Sequence, residues 1–331
     1  MSNTRRQFLQ TSAAMAVGLM GGTKVLAETQ KGAQTPARPA PAGAAGATAT
    51  STVATSAADM VQLPTIKFGG VDISRMVLGV NPLYGFAHYN QNFGASMAEW
   101  YTQERVCDVL HRAAGFGINA FNYVNMGRAP QDLACFRSQG GKMHLIIQVT
   151  AHDDPAELVK NLKPLALQRR GEEIDAAFKT GAMAGEREWC KRARDLGVLV
   201  GVGTHKPEVI DLCESQGWDL DFYAGCVYNR TRKPEEIRQV LNGELIEMPG
   251  ELYLQSDPPK MYKVMRQTPK PCFAFKILAA GRIPNEGIEG AFRTAFQSIK
   301  PNDGIYVGMY PRMKDEVKEN AEIVHRILTG A

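Results

Sequence analysis

The feature that most constrains this chain of 331 residues is an alternation of short apolar runs with amphipathic stretches, which begins at Ile66. The apolar runs predict strands, and a helix is predicted after each of them. Strands are predicted over residues 75–80, 119–123, 143–150, 174–181, 198–205, 220–229, 271–281 and 304–309. Eight strand–helix units in about 265 residues favour a (β/α)8 TIM barrel. A doubly wound open sheet is the alternative, but its typical Gly-rich first turn is missing from the sequence.

Composition excludes several kinds of partner. The formal net charge is only +4, and the basic residues are scattered along the chain, so nucleic acid is not an expected partner. Beyond the N-terminus no run approaches the ~20 apolar residues of a membrane span, which predicts a mature chain without one. The 6 cysteines include no CxxC pair, and their spacing specifies no disulfide.

The N-terminus carries a targeting pattern. Arg5 and Arg6 precede a weakly apolar segment, "TSAAMAVGLMGG", and the small-residue sequence "VLA" ends at Ala27. This order resembles a twin-arginine signal over residues 1–27, read by the Tat export machinery. A basic amphipathic tail is the alternative. The signal predicts a mature chain that begins near Glu28 in the periplasm or cell envelope.

Residues 28–63 are rich in Ala, Pro, Thr, Ser and Gly. A segment of this composition buries too little apolar surface to offset the entropy of ordering it. We therefore predict a disordered linker over 28–63 and a folded domain over 64–330.

Several stretches of this domain resemble the aldo-keto reductase superfamily. They include "TIKFGGVDISRMVLGVNPLYG", "GINAFNYVNMG", "VLVGVGTHKPEVID", "DFYAGCVYN", "FAFKILAAGRI" and "VGMYPRMKDEVKENAEIV". The resemblance implies a short N-terminal β-hairpin before the barrel and a carbonyl or sugar-like small molecule as substrate. It also implies NADP(H) as cofactor.

The catalytic tetrad of that superfamily is not retained. Its Asp falls on Asn122, its Lys on Gln148 and its His near Lys179 or Thr180. No tyrosine stands at the position of its proton donor. Amides can form hydrogen bonds but cannot lower the pKa of a phenol as a Lys and an Asp do. The resemblance therefore implies a divergent member with a non-standard acid/base set.

The residues at the ends of the predicted strands supply candidates for that set. The candidate catalytic residues are His152, His205, Lys276, Lys179, Asn122 and Gln148. A histidine can act as a general acid or base near neutral pH, and a desolvated lysine can transfer protons or form a Schiff base. The alternative interpretation is structural, with His205 and the acidic residues after His152 serving as helix caps.

His152, His205 and Cys226 are ligand types that zinc favours, and together they offer an alternative metal site. No short-range pair such as HxH or HxxxH supports it, so no metal site is predicted.

The cofactor prediction depends on the segment after the eighth strand. The resemblance places the adenine end of NADP(H) there, against Gly308, Arg312, Lys314 and Asn320. Helix-start amides with Arg and Lys suit a 2′-phosphate. Ordinary surface composition is the alternative explanation.

These observations predict an exported aldo-keto-reductase-like oxidoreductase that acts on a carbonyl or sugar-like small molecule. Two alternatives stay open: a non-redox lyase or isomerase that uses the strand-end His and Lys residues, and a noncatalytic ligand-binding barrel.

Overall fold

A computed structural model of the protein describes residues 61–232, 234–242 and 251–331. The predicted signal (1–27) and residues 28–60 of the predicted linker lie outside the described residues. The last three linker residues, 61–63, belong structurally to the barrel, since Leu63 is buried in its core and the Gln62 amide donates to the Gly115 carbonyl.

The described chain opens with an antiparallel hairpin of β1 (Thr65–Phe68) and β2 (Val71–Ser74). Its two-residue turn is Gly69-Gly70, with φ of 58° and 85°. Both values lie in the left-handed region, which glycine adopts without a steric penalty and which matches the twist of a tight hairpin. The predicted N-terminal hairpin is confirmed.

Eight parallel strands follow and close into a barrel, which confirms the predicted TIM barrel. The strands are β3 (Met76–Gly79), β4 (Ala120–Val124), β5 (His144–Val149), β6 (Ala166–Arg169), β7 (Leu199–Thr204), β8 (Phe222–Cys226), β9 (Cys272–Phe275) and β10 (Gly304–Gly308). Each strand pairs with the next along the chain, and β10 closes the barrel on β3.

Helices cover the outside of the barrel. They are α1 (Gln91–Trp100), α2 (Gln103–Gly115), α3 (Ala129–Ser138), α4 (Pro155–Leu162), α5 (Gly171–Thr180), α6 (Met183–Arg194), α7 (Pro207–Ser215), α8 (Pro234–Leu241), α9 (Pro258–Gln267), α10 (Gly287–Ser298) and α11 (Glu316–Thr329). The sequence signals explain their starts. At α4, for example, the Asp154 carboxylate accepts from the Ala156 amide at 2.9 Å, and Pro155 occupies the first turn.

The predicted fourth strand over 174–181 was wrong. These residues lie in α5 and the Gly181 that ends it, and the fourth barrel strand is β6, eight residues earlier. The strand has the sequence "ALQR", and its polar second half, Gln168 and Arg169, gives no apolar run that would predict a strand. Both are buried, and the Arg169 guanidinium is neutralised by the carboxylates of Glu173 and Glu186 at 2.5 and 2.6 Å.

The barrel interior forms a separate core beneath the hairpin. Phe68 of β1 enters it, and its ring contacts Phe222 and Phe273 edge-to-face at centroid distances of 5.1 and 5.3 Å. These rings lie at the amino ends of the strands, so the hairpin closes that end of the barrel. Chemistry is therefore confined to the opposite end, where the strands terminate.

Among the helices of residues 61–232, 234–242 and 251–331, none has both the length and the apolar character that a membrane crossing requires.

We expect Phe68→Ala to lower the free energy of unfolding by about 3–5 kcal/mol, because it removes a buried ring from the barrel interior. Lys67→Ala is the matched control on the exposed face of the same strand, where the Lys67–Asp72 ion pair contributes at most about 1 kcal/mol. Urea denaturation of the two variants measures the difference. A Phe68→Ala variant as stable as Lys67→Ala would show that the hairpin does not hold this end closed.

Candidate active site

A cavity of about 270 Å³ opens at the carboxyl ends of the strands. It is lined by residues from the barrel strands and from the loops and helix starts that follow them. This is the end of a TIM barrel at which active sites form, because the loops after the strands converge there. Four of the predicted catalytic residues line it: His205, Lys276, Asn122 and Gln148.

His205 follows β7 and forms a buried dyad with Asp175 of α5. Nδ1 of His205 lies 2.7 Å from Oδ2 of Asp175, and both side chains are almost inaccessible to solvent. The Asp175 carboxylate also accepts from the Thr204 hydroxyl at 2.6 Å and from the His205 backbone amide at 3.1 Å. A carboxylate accepts only, so Nδ1 carries the proton and Nε2 is left to take one.

Burial lowers the pKa of His205 below its usual 6.5, although the hydrogen bond to Asp175 acts in the opposite direction. The imidazole is therefore neutral at pH 7, as a general base must be. Its ring packs edge-to-face on Phe275 at 5.6 Å, and no described residue hydrogen-bonds to Nε2. The dyad therefore presents a fixed acceptor at the wall of the cavity.

Lys276 follows β9 and lines the same cavity with a side chain only 8% exposed. Burial lowers the pKa of Lys276 below its usual value, whereas the nearby Cys226 and Glu251 raise it. The residue has a φ of 62°, a left-handed conformation that is strained for a side chain of this type. Such strain is frequent where a structure holds a functional group in place.

Glu251 connects Lys276 to the loop after β3. Its carboxylate lies 3.6 Å from Nζ of Lys276 and 3.0 Å from Nδ1 of His88, and it accepts from the Tyr253 hydroxyl at 2.6 Å. Burial opposes ionisation of Glu251, but His88 and Lys276 lower its pKa well below the usual range. The Asn81 amide lies 3.0 Å from Nε2 of His88 and can only donate, so the proton of His88 is on Nδ1.

Arg230, in the loop after β8, joins two carboxylates at the cavity wall. Its guanidinium contacts Glu172 at 2.8 Å and Glu251 at 2.9 Å. Glu172, in the first turn of α5, also pairs with Arg170 at 3.1 Å. Although burial opposes it, these neighbouring positive charges contribute to lowering the pKa of Glu172 to about 2.

The floor of the cavity consists of neutral side chains. The Gln148 amide donates to Oδ1 of Asn122 at 2.7 Å, and the Asn122 amide donates to Oε1 of Gln168 at 3.4 Å. The Tyr306 hydroxyl donates to the same Gln168 oxygen at 3.2 Å. The two positions that the tetrad of the aldo-keto reductases would ionise are thus two hydrogen-bonded amides.

Two predicted catalytic residues lie elsewhere. His152 is exposed on the loop after β5 and does not line the cavity, and Lys179 is exposed in the last turn of α5. Lys179 was placed at a strand end only because 174–181 was read as a strand. The alternative zinc site is also wrong, because the exposed His152 does not line the cavity with His205. No group of three metal-ligating side chains occurs in the part of the chain that the structure describes.

Three of the four predicted cofactor residues line the cavity: Gly308, Lys314 and Asn320. Lys314 is paired with Glu319 at 2.6 Å, and Arg312 contacts the Ser96 hydroxyl at 2.7 Å outside the cavity lining. Binding of NADP(H) by these residues stays a prediction.

Sequence reasoning missed several polar residues at this site, among them His88, Gln168, Glu172, Arg230 and Glu251. A signal existed for two of them. Had "ALQR" been read as the fourth strand, Gln168 and Glu172 would have appeared at a strand end and the helix start after it. The other three lie in loops, where no periodicity marks a position.

No family model matches the chain, and no curated protein matches it. In structure it is similar to a truncated form of 3-deoxy-D-arabino-heptulosonate 7-phosphate synthase from Thermotoga maritima, with 12% identity, a TM-score of 0.49 and coverage of 82% of this chain and 92% of that one. A second structure of that enzyme, from the same organism, gives the same identity and TM-score over 82% and 74% of the two chains. Gox0644 in its apo form is similar at 10% identity and a TM-score of 0.45, over 80% and 93%.

The predicted membership of the aldo-keto reductase superfamily, and the oxidoreductase function drawn from it, were wrong. No family model supports that superfamily. At the site, Asn122 and Gln148 are paired amides and Lys179 lies on an outer helix, so the groups that tune the proton donor of a reductase are missing.

We expect nitrogen NMR of the histidine side chains to find Nε2 of His205 unprotonated at pH 6.5, with a titration midpoint below 6.5. Asp175→Asn should lower that midpoint further, because the carboxylate raises the pKa that burial lowers. A midpoint above 6.5 in the unmodified protein would show that the dyad stores a proton instead of accepting one.

Proposed function

We propose that this barrel is a non-redox lyase or isomerase that acts on a small carbonyl compound through Lys276 and His205. The observation that carries the proposal is the meeting of a buried amine and an Asp-oriented imidazole at one cavity. Phe275 connects the two groups, since its ring packs edge-to-face against the His205 ring and it immediately precedes Lys276. A nucleophilic amine beside a general base is the pair that Schiff-base chemistry requires.

In the proposed reaction, the uncharged amine of Lys276 attacks the substrate carbonyl and a carbinolamine forms. Loss of water gives an iminium ion, and Nε2 of His205 removes the proton from the adjacent carbon. The electron pair of that C–H bond forms an enamine. Return of the proton to the opposite face of the same carbon gives an epimer, and departure of a leaving group from the next carbon gives an unsaturated iminium ion. In both cases water then hydrolyses the iminium ion, which releases the product and restores the amine of Lys276. The lowered pKa of Lys276 favours the first step, because only the neutral amine is a nucleophile.

The remaining residues hold these two groups in place. Asp175 fixes the tautomer of the imidazole, as carboxylates do in other dyads of this kind. Glu251 lies beside Lys276 and is itself held by His88, Tyr253 and Arg230. Strained backbone at Lys276, Ala279, Ala280 and Ile283 costs roughly 1–3 kcal/mol per residue, and this supports a functional role for the loop after β9.

The amine is tested by reductive trapping. We expect sodium cyanoborohydride, added with a panel of aldehydes, ketones and 2-oxo acids, to reduce an iminium ion on Lys276 to a stable secondary amine. Intact-mass analysis and peptide mapping locate the adduct. Lys276→Arg keeps the charge and should remove the adduct, whereas Lys179→Arg, on an exposed lysine, should retain it. Adducts scattered over surface lysines, with none at Lys276, would contradict the proposal.

The base is tested by proton exchange. For a carbonyl compound trapped on Lys276, we expect His205→Gln to slow exchange of the adjacent C–H with D2O by about 10²–10⁴-fold, the usual contribution of a general base. In the unmodified protein, exchange should fall as the pH drops through the pKa of His205, below 6.5, because the protonated ring cannot accept. His111→Gln, on the outer helix α2, is the control. Equal exchange by all three proteins would remove His205 from the mechanism.

A further inference from the structure

The hydrogen-bonding groups of the cavity floor are not fully used by one another. Oε1 of Gln168 accepts from Asn122 and Tyr306, which fixes the orientation of the amide. Its Nε2 therefore points away from both, and no described residue accepts from it. The side chain is only 3% exposed and lines the cavity. A donor in the cavity lining that has no protein partner is suited to a ligand acceptor.

Asn320 of α11 repeats this arrangement on another wall. It is 3% exposed, it lines the cavity, and its side-chain amide has no hydrogen-bond partner among the described residues. Gln148 adds an unpaired oxygen, since only its nitrogen is engaged by Asn122. The cavity thus offers neutral donors and acceptors together, which is the pattern that hydroxyl groups match because a hydroxyl both donates and accepts.

Charged groups at the cavity wall are already compensated. Arg230 is shared between Glu172 and Glu251. Arg170 pairs with Glu172, and Lys314 pairs with Glu319. A phosphate or carboxylate on the ligand would have to compete with one of these carboxylates for its cation.

The start of α11, which borders the cavity, is also closed to anions. Helix starts attract phosphate through free amides and the helix dipole. Here Asp315 accepts from the Lys318 amide at 3.2 Å, and Glu316 accepts from the Tyr310 amide at 2.6 Å. Both Glu316 and Glu319 lie in the first turn, so this end already carries negative charge.

We infer that the ligand is an uncharged polyhydroxylated carbonyl compound, a free aldose or ketose, and that its hydroxyls bind Gln168, Gln148 and Asn320. Phosphorylated and carboxylated sugars are disfavoured. The inference rests on the proposed function for the carbonyl group and goes beyond it in naming the rest of the molecule. The cavity has a volume of about 270 Å³, just below the range of about 300–1,000 Å³ that is usual for the pockets of drug-sized ligands. A single sugar is smaller than such ligands, so the cavity is large enough to hold one.

The test is equilibrium binding of a panel of free pentoses, hexoses and ketoses, each beside its phosphate ester and its sugar acid, measured by calorimetry and saturation-transfer NMR. We expect at least one free sugar to bind, and its phosphate to bind at least tenfold more weakly. Gln168→Met keeps the length of the side chain and should weaken sugar binding about tenfold, the effect of one hydrogen bond of ordinary strength. Gln139→Met, on the outer surface, is the matched control and should bind as the unmodified protein does.

Asn320→Leu provides a second variant if Gln168→Met does not fold, because it leaves the amide chain of the floor intact. Failure of every free sugar to bind, tighter binding of a phosphate, or unchanged binding in whichever of the two variants folds would overturn the inference. Sugar binding without any adduct on Lys276 would overturn the proposed reaction and leave the inference standing. If sugar adducts form on Lys276 to the same extent in the Gln168→Met variant, the inference would be overturned and the proposed reaction would stand.

Discussion

The closure of β10 on β3 is the interaction on which the rest of the structure depends. Ile305 pairs with Met76 and Gly308 pairs with Gly79, which joins segments more than two hundred residues apart in the chain. The approach is close, since a Cβ on Gly79 would lie 2.9 Å from the backbone nitrogen of Gly308. Without this pairing the sheet would have two open edges, and the strand ends that form the cavity would not converge.

Convergence also explains the electrostatics of the site. Glu172 at the start of α5 and Arg230 and Glu251 in two loops meet only because the barrel brings these segments together. Each carboxylate has positively charged partners there. At Glu172 and Glu251 the neighbouring groups together outweigh burial, so the pKa values are lowered and the carboxylates stay ionised. At Lys276 and His205 burial outweighs the neighbouring groups, so the pKa values are lowered and the neutral forms are favoured. One cavity thus keeps fixed charges beside two groups that can exchange protons.

Sequence reasoning succeeded where a residue followed a strongly periodic strand. His205 and Lys276 were found because "VLVGVGT" and "CFAF" are apolar runs with definite ends. It failed at Lys179 because β6 is only four residues long and half of it is polar. Gln168 and Arg169 are buried by tertiary partners, which no local pattern reveals. Asp175 was missed for a similar reason, since it is an ordinary helix residue until the fold places it against His205.

The sequence by itself determined the barrel, because apolar periodicity is a local property of the chain. The hairpin was expected only from the resemblance to a known superfamily. The sequence also identified four catalytic candidates that line the cavity. Only the tertiary structure decided what those residues do. Protonation state depends on burial and on the groups that surround a side chain, and these groups come from distant segments. That is why Asn122 and Gln148, which invited comparison with a reductase tetrad, are part of a neutral floor beneath a Lys and an Asp–His dyad.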